Sequence, residues 1–395
     1  MLAMFHWARW LGIAGSTSKY YWKLWGMALI FVLTVVEIGA IWKVIKALAG
    51  WAASTSGHRS VTARLAGATL YANAVLSIIL CWKLSSSWQR IVDFWIILDR
   101  AMVTSRIPTD KNLMKKFSGI KKFFIFCGVA EHMMGIISFV GVDCPPSLWL
   151  EKYILISHGF LLRPDEYNIW FGISLMILSM VATILWNLQD LLLILITLGL
   201  ASRYRRLNKY VATVCSQNKK EMDKSNDLDI LQMYTWRKIR EAYVKQAALV
   251  REVNNLVGPL ILLSNSCNFY FTCLHLFLGI TQGISDTSLE QIYYLLSFTW
   301  LCIRTSLVVL SAADVNVCSK DALPYLFEYN TQTYNLEIYR LQYQLRKDFV
   351  ALSGMGFFFL TKSLLLQMGG AVVTYELVLI QFDSTDYNLT NTTAY

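Results

Sequence analysis

Seven long apolar runs constrain this chain more than any other feature of its sequence. A helix needs about 20 residues to cross the roughly 30 Å hydrocarbon layer of a bilayer. Lipid offers no hydrogen-bond partner to an open sheet, so segments of this length are expected to be helices. The runs are residues 21–48, 65–84, 123–142, 169–200, 256–280, 293–315 and 357–382. The sequence therefore predicts an all-α membrane protein with seven spans, the fourth of which, at 32 residues, is expected to continue past the membrane.

Composition agrees with a membrane protein and argues against other classes. Charged residues make up 16% of the chain, whereas soluble domains carry about 25%. The net charge of +10 could indicate a nucleic-acid-binding protein, but the basic residues lie between apolar runs and form no solvated basic face, so no nucleic-acid partner is expected. Most of the eight cysteines fall within apolar runs, in no zinc or redox spacing. No cofactor, metal or enzymatic motif is predicted.

The distribution of lysine and arginine predicts the orientation of the helices. With the amino terminus in the cytosol, residues 1–25, 83–122, 201–255 and 316–350 are inside and hold 28 basic residues, against at most six outside. Basic residues accumulate in cytoplasmic loops, so this bias favours an inside amino terminus and an outside carboxyl terminus. Both N-x-[ST] sequons, at Asn388 and Asn391, lie in that outer tail. A multi-pass plasma-membrane protein is expected.

The inner segments contain helix-compatible stretches that extend the spans. Charged residues lie on one face of residues 234–257, and Ile239, Tyr243 and Leu249 are available for packing on the other. The basic cluster from Arg203 to Arg206 is interpreted as reaching towards lipid headgroups.

The last apolar run carries a stripe of small or polar residues at helical spacing. Its members are Ser363, Gln367, Gly370, Thr374, Val378 and Gln381. Such a stripe faces protein or water, so it either packs against another helix or lines a pore. In the pore interpretation Gln381 forms a polar ring, and Phe382 or Val378 forms an apolar constriction that gates by dewetting.

Residues 374–382 read TYELVLIQF, which resembles the TYhhhhhQF signature (h, apolar) of the last helix of insect gustatory receptors. Thr374, Tyr375, Gln381 and Phe382 match its four fixed positions, and Glu376 resembles the TYE form of the sugar-sensing subfamily. The span number and inside amino terminus also fit, so the likeness covers essentially the whole chain. It implies a homotetrameric or heterotetrameric channel that a sugar tastant opens to cations such as Na⁺, K⁺ and Ca²⁺.

The resemblance also implies a division of the chain. Residues 1–20 would be a cytoplasmic segment, 21–383 a seven-helix channel subunit in contact with membrane lipid, and 384–395 an extracellular tail. Within the subunit, residues 201–255 and 316–352 would form a cytoplasmic anchor and 357–382 the pore helix. Gln381 and Phe382 would be gate residues, while Thr374 and Tyr375 would hold the last helix. Glu376 points about 200° from Thr374 and is expected to meet a neighbouring helix.

A sugar site needs hydrogen-bonding side chains beside aromatic rings, and polar groups within spans usually face the bundle interior. The candidates in the outer halves of the spans are Tyr71, Asn73, Glu131, His132, Asn168, Trp170, Asn268, Tyr270, His275, Tyr293, Tyr294 and Trp300. Some have simpler alternatives: Trp170, Tyr293 and Tyr294 could belong to an interfacial belt. His275 and the asparagines could instead join helices through hydrogen bonds. The pairs Glu131 with His132 and Asn268 with Tyr270 are favoured.

Two other classes of protein stay open. A G-protein-coupled receptor shares seven spans but has its amino terminus outside and needs a D-R-Y sequence after the third span, which is lacking. A secondary transporter would repeat its hydropathy pattern between halves, and no repeat is found. Charges within the spans, such as Asp190 and Arg304, would serve as ion relays in a transporter but are expected to form buried ion pairs.

Overall fold

The computed structural model describes residues 2–15, 18–52, 60–104, 107, 110, 112–218, 227–281, 287–328 and 336–392. Among these residues, the side chains of residues 2–3, 101–104, 218, 227–231, 281 and 379–392 are not described. The helices are α1 Leu2–Ala8, α2 Tyr20–Leu48, α3 Val61–Thr104, α4 Leu113–Val140, α5 Trp149–Ser157, α6 Ile169–Asn218, α7 Asp227–Thr281, α8 Ser288–Lys320, α9 Leu323–Glu328, α10 Leu336–Lys347 and α11 Lys362–Thr392. Two short 3-10 helices and one isolated β-bridge complete the described structure, so the all-α prediction is confirmed.

Six of these helices are long and apolar enough to cross a membrane. They are α2, α3, α4, α6, α7 and α8, which correspond to the first six predicted spans. The last helix, α11, is not among the six, so its crossing of the membrane stays a prediction.

Three of the spanning helices continue well beyond their apolar runs. The second run predicts residues 65–84, but α3 reaches Thr104 because Trp88, Ile91 and Leu98 on one side of its extension are buried. The predicted helical extensions of α6 and α7 are also found, and both bury one face in the same core. In these extensions of α3, α6 and α7, side chains alternate between the core and solvent. Hydropathy alone therefore does not show that the helices continue.

The last helix begins five residues later than predicted. Residues 348–361 are not helical, and Ser353 and Phe359 form an antiparallel bridge around a turn in which Met355 has a φ of 53°. The Asn254 side chain on α7 accepts a 2.7 Å hydrogen bond from the Ser353 backbone amide and holds this turn. The helix then continues to Thr392, through residues predicted to be a tail.

The helices form one bundle in which α3, α6 and α7 pack together at the centre. Helix α2 packs on α3, α4 packs on α6 and α8, and α11 packs on α7 and α8. The short helix α5, which the sequence did not predict, packs between α4 and α6 and marks one end of the bundle, here the α5 end. The opposite end, here the α10 end, carries α9 and α10.

Ion pairs join the helices at the α10 end. Nη1 of the buried Arg203 lies 3.0 Å from Oδ1 of Asp99, and Nη1 of Arg206 lies 2.9 Å from the same oxygen. The Nε of Arg203 donates a 2.9 Å hydrogen bond to the Gln246 side chain, and Arg205 pairs with Asp314. The interpretation of this cluster as reaching lipid headgroups is therefore wrong, because carboxylates on α3 and α8 hold it against the protein.

Candidate functional site

A cavity of about 340 Å³ lies between the helices at the α5 end, within the size range of small-molecule sites. Six elements supply its walls, from α3 to α8. The polar lining residues are Tyr71, Glu131, His132, Tyr153, Ser157, His158, Ser179, Thr183, His275, Tyr293, Ser297 and Arg304. Their hydroxyl, carboxylate and imidazole groups can donate and accept many hydrogen bonds.

On one wall of the cavity, a single hydroxyl group lies within hydrogen-bonding distance of both a carboxylate and an imidazole. The Ser297 hydroxyl on α8 donates a 3.2 Å hydrogen bond to Oε1 of Glu131 on α4. The Ser297 Oγ also lies 3.4 Å from Nε2 of His275 on α7, whose Nδ1 lies 3.1 Å from the Phe271 carbonyl oxygen. Three helices therefore place acceptors and donors within one small region of the cavity.

A second part of the cavity wall is built around His158, just after α5. Its Nε2 lies 2.8 Å from the Tyr71 hydroxyl, and its Nδ1 lies 2.8 Å from the Ser157 hydroxyl. Burial lowers the pKa of His158 to about 4, so the ring is neutral near pH 7 and each ring nitrogen has a hydroxyl partner.

The floor of the cavity is a buried ion pair in a hydrogen-bonded network. Nε of Arg304 lies 3.0 Å from Oδ2 of Asp190, and its guanidinium lies 4.1 Å from the Trp186 ring centroid. Asn268 donates to Asp190 at 3.1 Å and accepts from Trp186 Nε1 at 2.9 Å and from Arg304 at 3.2 Å. The Ser264 hydroxyl also donates to Asp190. The Arg304 guanidinium therefore lines the cavity, while the Asp190 carboxylate beneath it balances its positive charge.

Aromatic rings provide apolar surface between the polar groups. Trp186 packs against Phe271 with ring centroids 4.6 Å apart, and Phe139 meets Tyr293 edge to face at 5.7 Å. Gly135 on α4 lies so close to Tyr293 that an added Cβ would be 3.0 Å from its ring. This glycine leaves room for the Tyr293 ring close to α4.

Six of the twelve predicted ligand contacts line the cavity. They are Tyr71, Glu131, His132, His275, Tyr293 and Trp300. The favoured pair of Glu131 and His132 is among them, although Nε2 of His132 is buried without a hydrogen-bond partner among the described residues.

The other six predicted contacts lie elsewhere. Asn73 accepts a hydrogen bond from Gln189 in the core, Asn268 belongs to the network beneath the floor, and Tyr294 donates its hydroxyl to the His275 carbonyl oxygen. Tyr270, the partner proposed for Asn268, does not line the cavity. At the start of α6, the Asn168 side chain accepts from the Trp170 amide, and Trp170 is 74% exposed, as a belt residue would be.

Sequence reasoning missed several residues of the cavity. Tyr153, Ser157 and His158 lie on or next to α5, outside every apolar run, and no sequence pattern marked them. Arg304 was recognised as a deep charge but was not assigned to the site. A basic side chain in the middle of a span, one helical turn from Trp300, was the signal for it.

The polar stripe of α11 faces away from the rest of its own subunit. Ser363, Gln367, Gly370, Thr374 and Val378 are all exposed in the described part of the helix. Val372 and Glu376 are buried on the opposite side, where α11 packs on α7 and α8. Glu376 therefore lies where the sequence placed it, towards neighbouring helices. The predicted gate side chains of Gln381 and Phe382 lie outside the described side chains.

The described residues contain no group of three or more His, Cys, Asp or Glu side chains that could hold a metal ion.

Comparison with known proteins identifies the family. The family model described as trehalose receptor matches residues 19–390. The gustatory receptor for sugar taste 64a of Drosophila melanogaster is 29% identical over 313 residues, covering 76% of this chain and 65% of that receptor. Gustatory receptor 5a for trehalose, from the same organism, is 26% identical over 378 residues, covering 93% of this chain and 78% of that receptor.

A solved structure has the same fold. The insect olfactory receptor OR5 from Machilis hrabei, determined in complex with eugenol, matches with a TM-score of 0.64 and 11% identity, covering 96% of this chain and 99% of that one. Neither the family model nor these relatives supports the alternative of a G-protein-coupled receptor. With its six apolar helices, this chain is a multi-pass membrane protein and belongs to the trehalose receptor family of insect gustatory receptors.

Proposed function

We propose that this protein is a subunit of a sugar-gated cation channel at the plasma membrane, and that the sugar binds in the cavity at the α5 end. The observation that carries the proposal is the lining of that cavity, in which hydrogen-bonding groups from six elements alternate with aromatic rings. The names of the Drosophila relatives point to sugars, and one of them to trehalose.

The chemistry of the cavity matches a sugar better than an apolar odorant. Glu131, Ser297 and His275 together offer acceptors and donors to a set of neighbouring hydroxyl groups. Trp186 and Phe271 offer flat apolar surface to the carbon face of a ring. A buried polar group without a partner costs about 1–3 kcal/mol, so such a site discriminates against ligands that lack hydroxyl groups.

The conducting path is proposed to run along α11 of four subunits, identical or different. Its stripe of Gln367, Gly370, Thr374 and Val378 is exposed in the described structure of the subunit, whereas the side of α11 that packs on α7 and α8 carries Val372 and Glu376. In this arrangement the amino terminus is cytoplasmic, the α10 end forms the cytoplasmic anchor, and Na⁺, K⁺ and Ca²⁺ are the permeant ions. No enzymatic activity is proposed.

A short chain of contacts joins the cavity to α11. Tyr294 on α8 donates a 2.8 Å hydrogen bond to the carbonyl oxygen of His275, a cavity residue on α7. Helix α11 packs on these same two helices, with Glu376 buried on its packed side. A sugar that shifts α7 relative to α8 would therefore change the surface on which α11 packs.

Whole-cell recording tests the proposal. The chain is expressed alone and together with a related sugar receptor subunit, and a panel of sugars is applied with bitter compounds as controls. An inward cation current evoked by at least one sugar and by no bitter compound is expected. Current evoked only by bitter compounds, or by no compound although the protein is at the cell surface, would overturn it.

A further inference from the structure

We propose that the acyl chain of a membrane lipid binds in a groove between α4 and α6, and that its occupancy alters the adjacent cavity. The groove, here the α4–α6 groove, has a volume of about 430 Å³. It is lined by Phe124, Ile125, Gly128, Val129, His132 and Met133 from α4 and by Met180, Thr183, Ile184, Asn187, Leu188 and Leu191 from α6.

Two polar side chains of the groove, those of Asn187 and Thr183, use their polar atoms in hydrogen bonds within the protein. Asn187 donates from Nδ2 to the Thr183 carbonyl oxygen at 3.0 Å and accepts from Arg304 at 3.1 Å. The Thr183 hydroxyl donates to the Ser179 carbonyl oxygen at 3.0 Å. The polar groups of these two residues already have hydrogen-bond partners within the protein, so a sugar hydroxyl placed in the groove would lose its hydrogen bonds to water without replacement.

The groove opens at the depth of the bilayer interior. Both of its helices are long enough to span the membrane, and the groove lies near the middle of their apolar stretches. Apolar residues on its α4 side are exposed, Ile125 to 64% and Val129 to 58%. Lipid tails surround such a face, and they can therefore enter the α4–α6 groove at its opening.

The shape of the groove favours a flexible chain over a helix of a second subunit. Helices α4 and α6 pack against each other, so the space between them is narrow, whereas a helix is about 10 Å across. Gly128 leaves room because a Cβ there would meet nothing closer than the Asn187 side chain at 3.6 Å. Met133 and Met180, from the two helices, have flexible side chains that adapt to an irregular occupant.

The groove and the cavity share a wall. His132 and Thr183 line both. An acyl chain that fills the groove would restrain these side chains and thereby the cavity. This second half of the inference rests on the proposed function, whereas lipid binding in the groove does not.

Lipid binding is tested by labelling. The purified protein is placed in nanodiscs that contain phosphatidylcholine with a photoactivatable diazirine in the middle of one acyl chain, and labelled peptides are mapped. Labelling should concentrate on residues 124–133 and 180–191. Gly128→Leu, which fills the groove, should lower it about tenfold, as expected for excluding about two methylene groups.

Gly119→Leu is the matched control, since nothing lies within 4 Å of a Cβ at that position on the same helix. It should leave labelling unchanged. Equal labelling along all lipid-facing helices, or equal labelling in Gly128→Leu, would overturn the site. Crosslinks from the groove to a second copy of the chain would show that another subunit, and not a lipid, occupies the groove.

Coupling is tested separately by the sugar dose response. Gly128→Leu, but not Gly119→Leu, should shift the half-activating sugar concentration by threefold or more, on the order of 0.7 kcal/mol. An unchanged concentration with lost labelling would overturn the coupling and leave the lipid site. Mapped labelling without sugar-evoked current in any variant would leave the lipid site and contradict the proposed function.

Discussion

The guanidinium of Arg304 and the carboxylate of Asp190 form an ion pair with a 3.0 Å separation, and both side chains are almost completely buried beneath the cavity. Burial of two charges is costly, and their attraction offsets the cost only when both partners are present and the remaining polar atoms have partners. Here Ser264, Asn268 and Asn187 supply those partners. The pair holds α6 and α8 in register under the proposed ligand site.

Removal of one partner of this pair should destabilise the protein strongly. Arg304→Met leaves Asp190 buried without its counter-charge, which is expected to cost about 3–5 kcal/mol. Asn268→Ala should act in the same direction but less strongly, because it leaves Asp190 and Trp186 each one hydrogen bond short. Thermal unfolding of the purified protein and its amount at the cell surface measure both effects.

The matched control for that experiment is an exposed ion pair between other helices. Arg90 and Glu252 are 3.9 Å apart and largely exposed, so Arg90→Met should change stability by less than about 1 kcal/mol. The double variant Arg304→Met with Asp190→Leu should recover much of the lost stability. A double variant as unstable as Arg304→Met alone would show that the ion pair is not the cause.

The stability of the α5 end should depend on pH through His158. Its pKa is lowered by burial from 6.5 to about 4, so between these values the unfolded chain binds a proton that the folded one excludes. Stability should therefore be full above pH 6.5 and should fall by up to about 3 kcal/mol as the pH drops to about 4. Melting temperatures of wild type and His158→Gln across this range check it, and the variant should lose this pH dependence. Equal pH dependence in the two proteins would exclude His158 as its source.

Cysteine substitution tests which face of α11 meets water. Thr374→Cys, on the exposed stripe, should react with a charged thiol reagent added from outside during sugar application, and the current should fall. Val372→Cys, on the buried face, should be protected, and wild type controls for the eight native cysteines. Equal modification of both positions would show that the stripe does not line a water-filled path.

The sequence signature makes a separate prediction for the outer part of α11. Phe382→Ala removes an apolar constriction and should allow current without sugar. Gln381→Arg would place four positive charges around the path and should suppress cation current without preventing assembly. Normal resting and evoked currents in both variants, at normal surface expression, would remove these residues from the gate.

Hydropathy located the spanning helices because their apolar runs are long, but it could not set their ends. Trp88 and Tyr243 lie in mixed stretches that become helical and buried only when α3, α6 and α7 pack together. The bridge at Ser353, which delays α11, is likewise held by a side chain from α7. These boundaries follow from tertiary contacts, which a single sequence does not display.

The site was predictable where a polar residue interrupts an apolar helix. Glu131, His132 and His275 could be assigned to the interior on that ground, because lipid excludes them. The same rule does not distinguish residues that line the cavity from residues of the hydrogen-bonded network beneath it. Asn268 was therefore predicted to contact the ligand, although it belongs to that network. It also could not find His158, which lies in a connection between spans.

The sugar dose response of Glu131→Gln tests most directly whether the sugar binds in the cavity at the α5 end. This variant keeps the shape of the side chain but removes the carboxylate that accepts from Ser297 in the cavity. With Asp143→Asn as an exposed control near the same end, currents are recorded at matched surface expression. If the sugar binds in this cavity, the half-activating sugar concentration should rise about tenfold in Glu131→Gln, equivalent to about 1.4 kcal/mol, and should stay at the wild-type value in Asp143→Asn. Superimposable dose responses for wild type and Glu131→Gln would contradict a sugar site in this cavity.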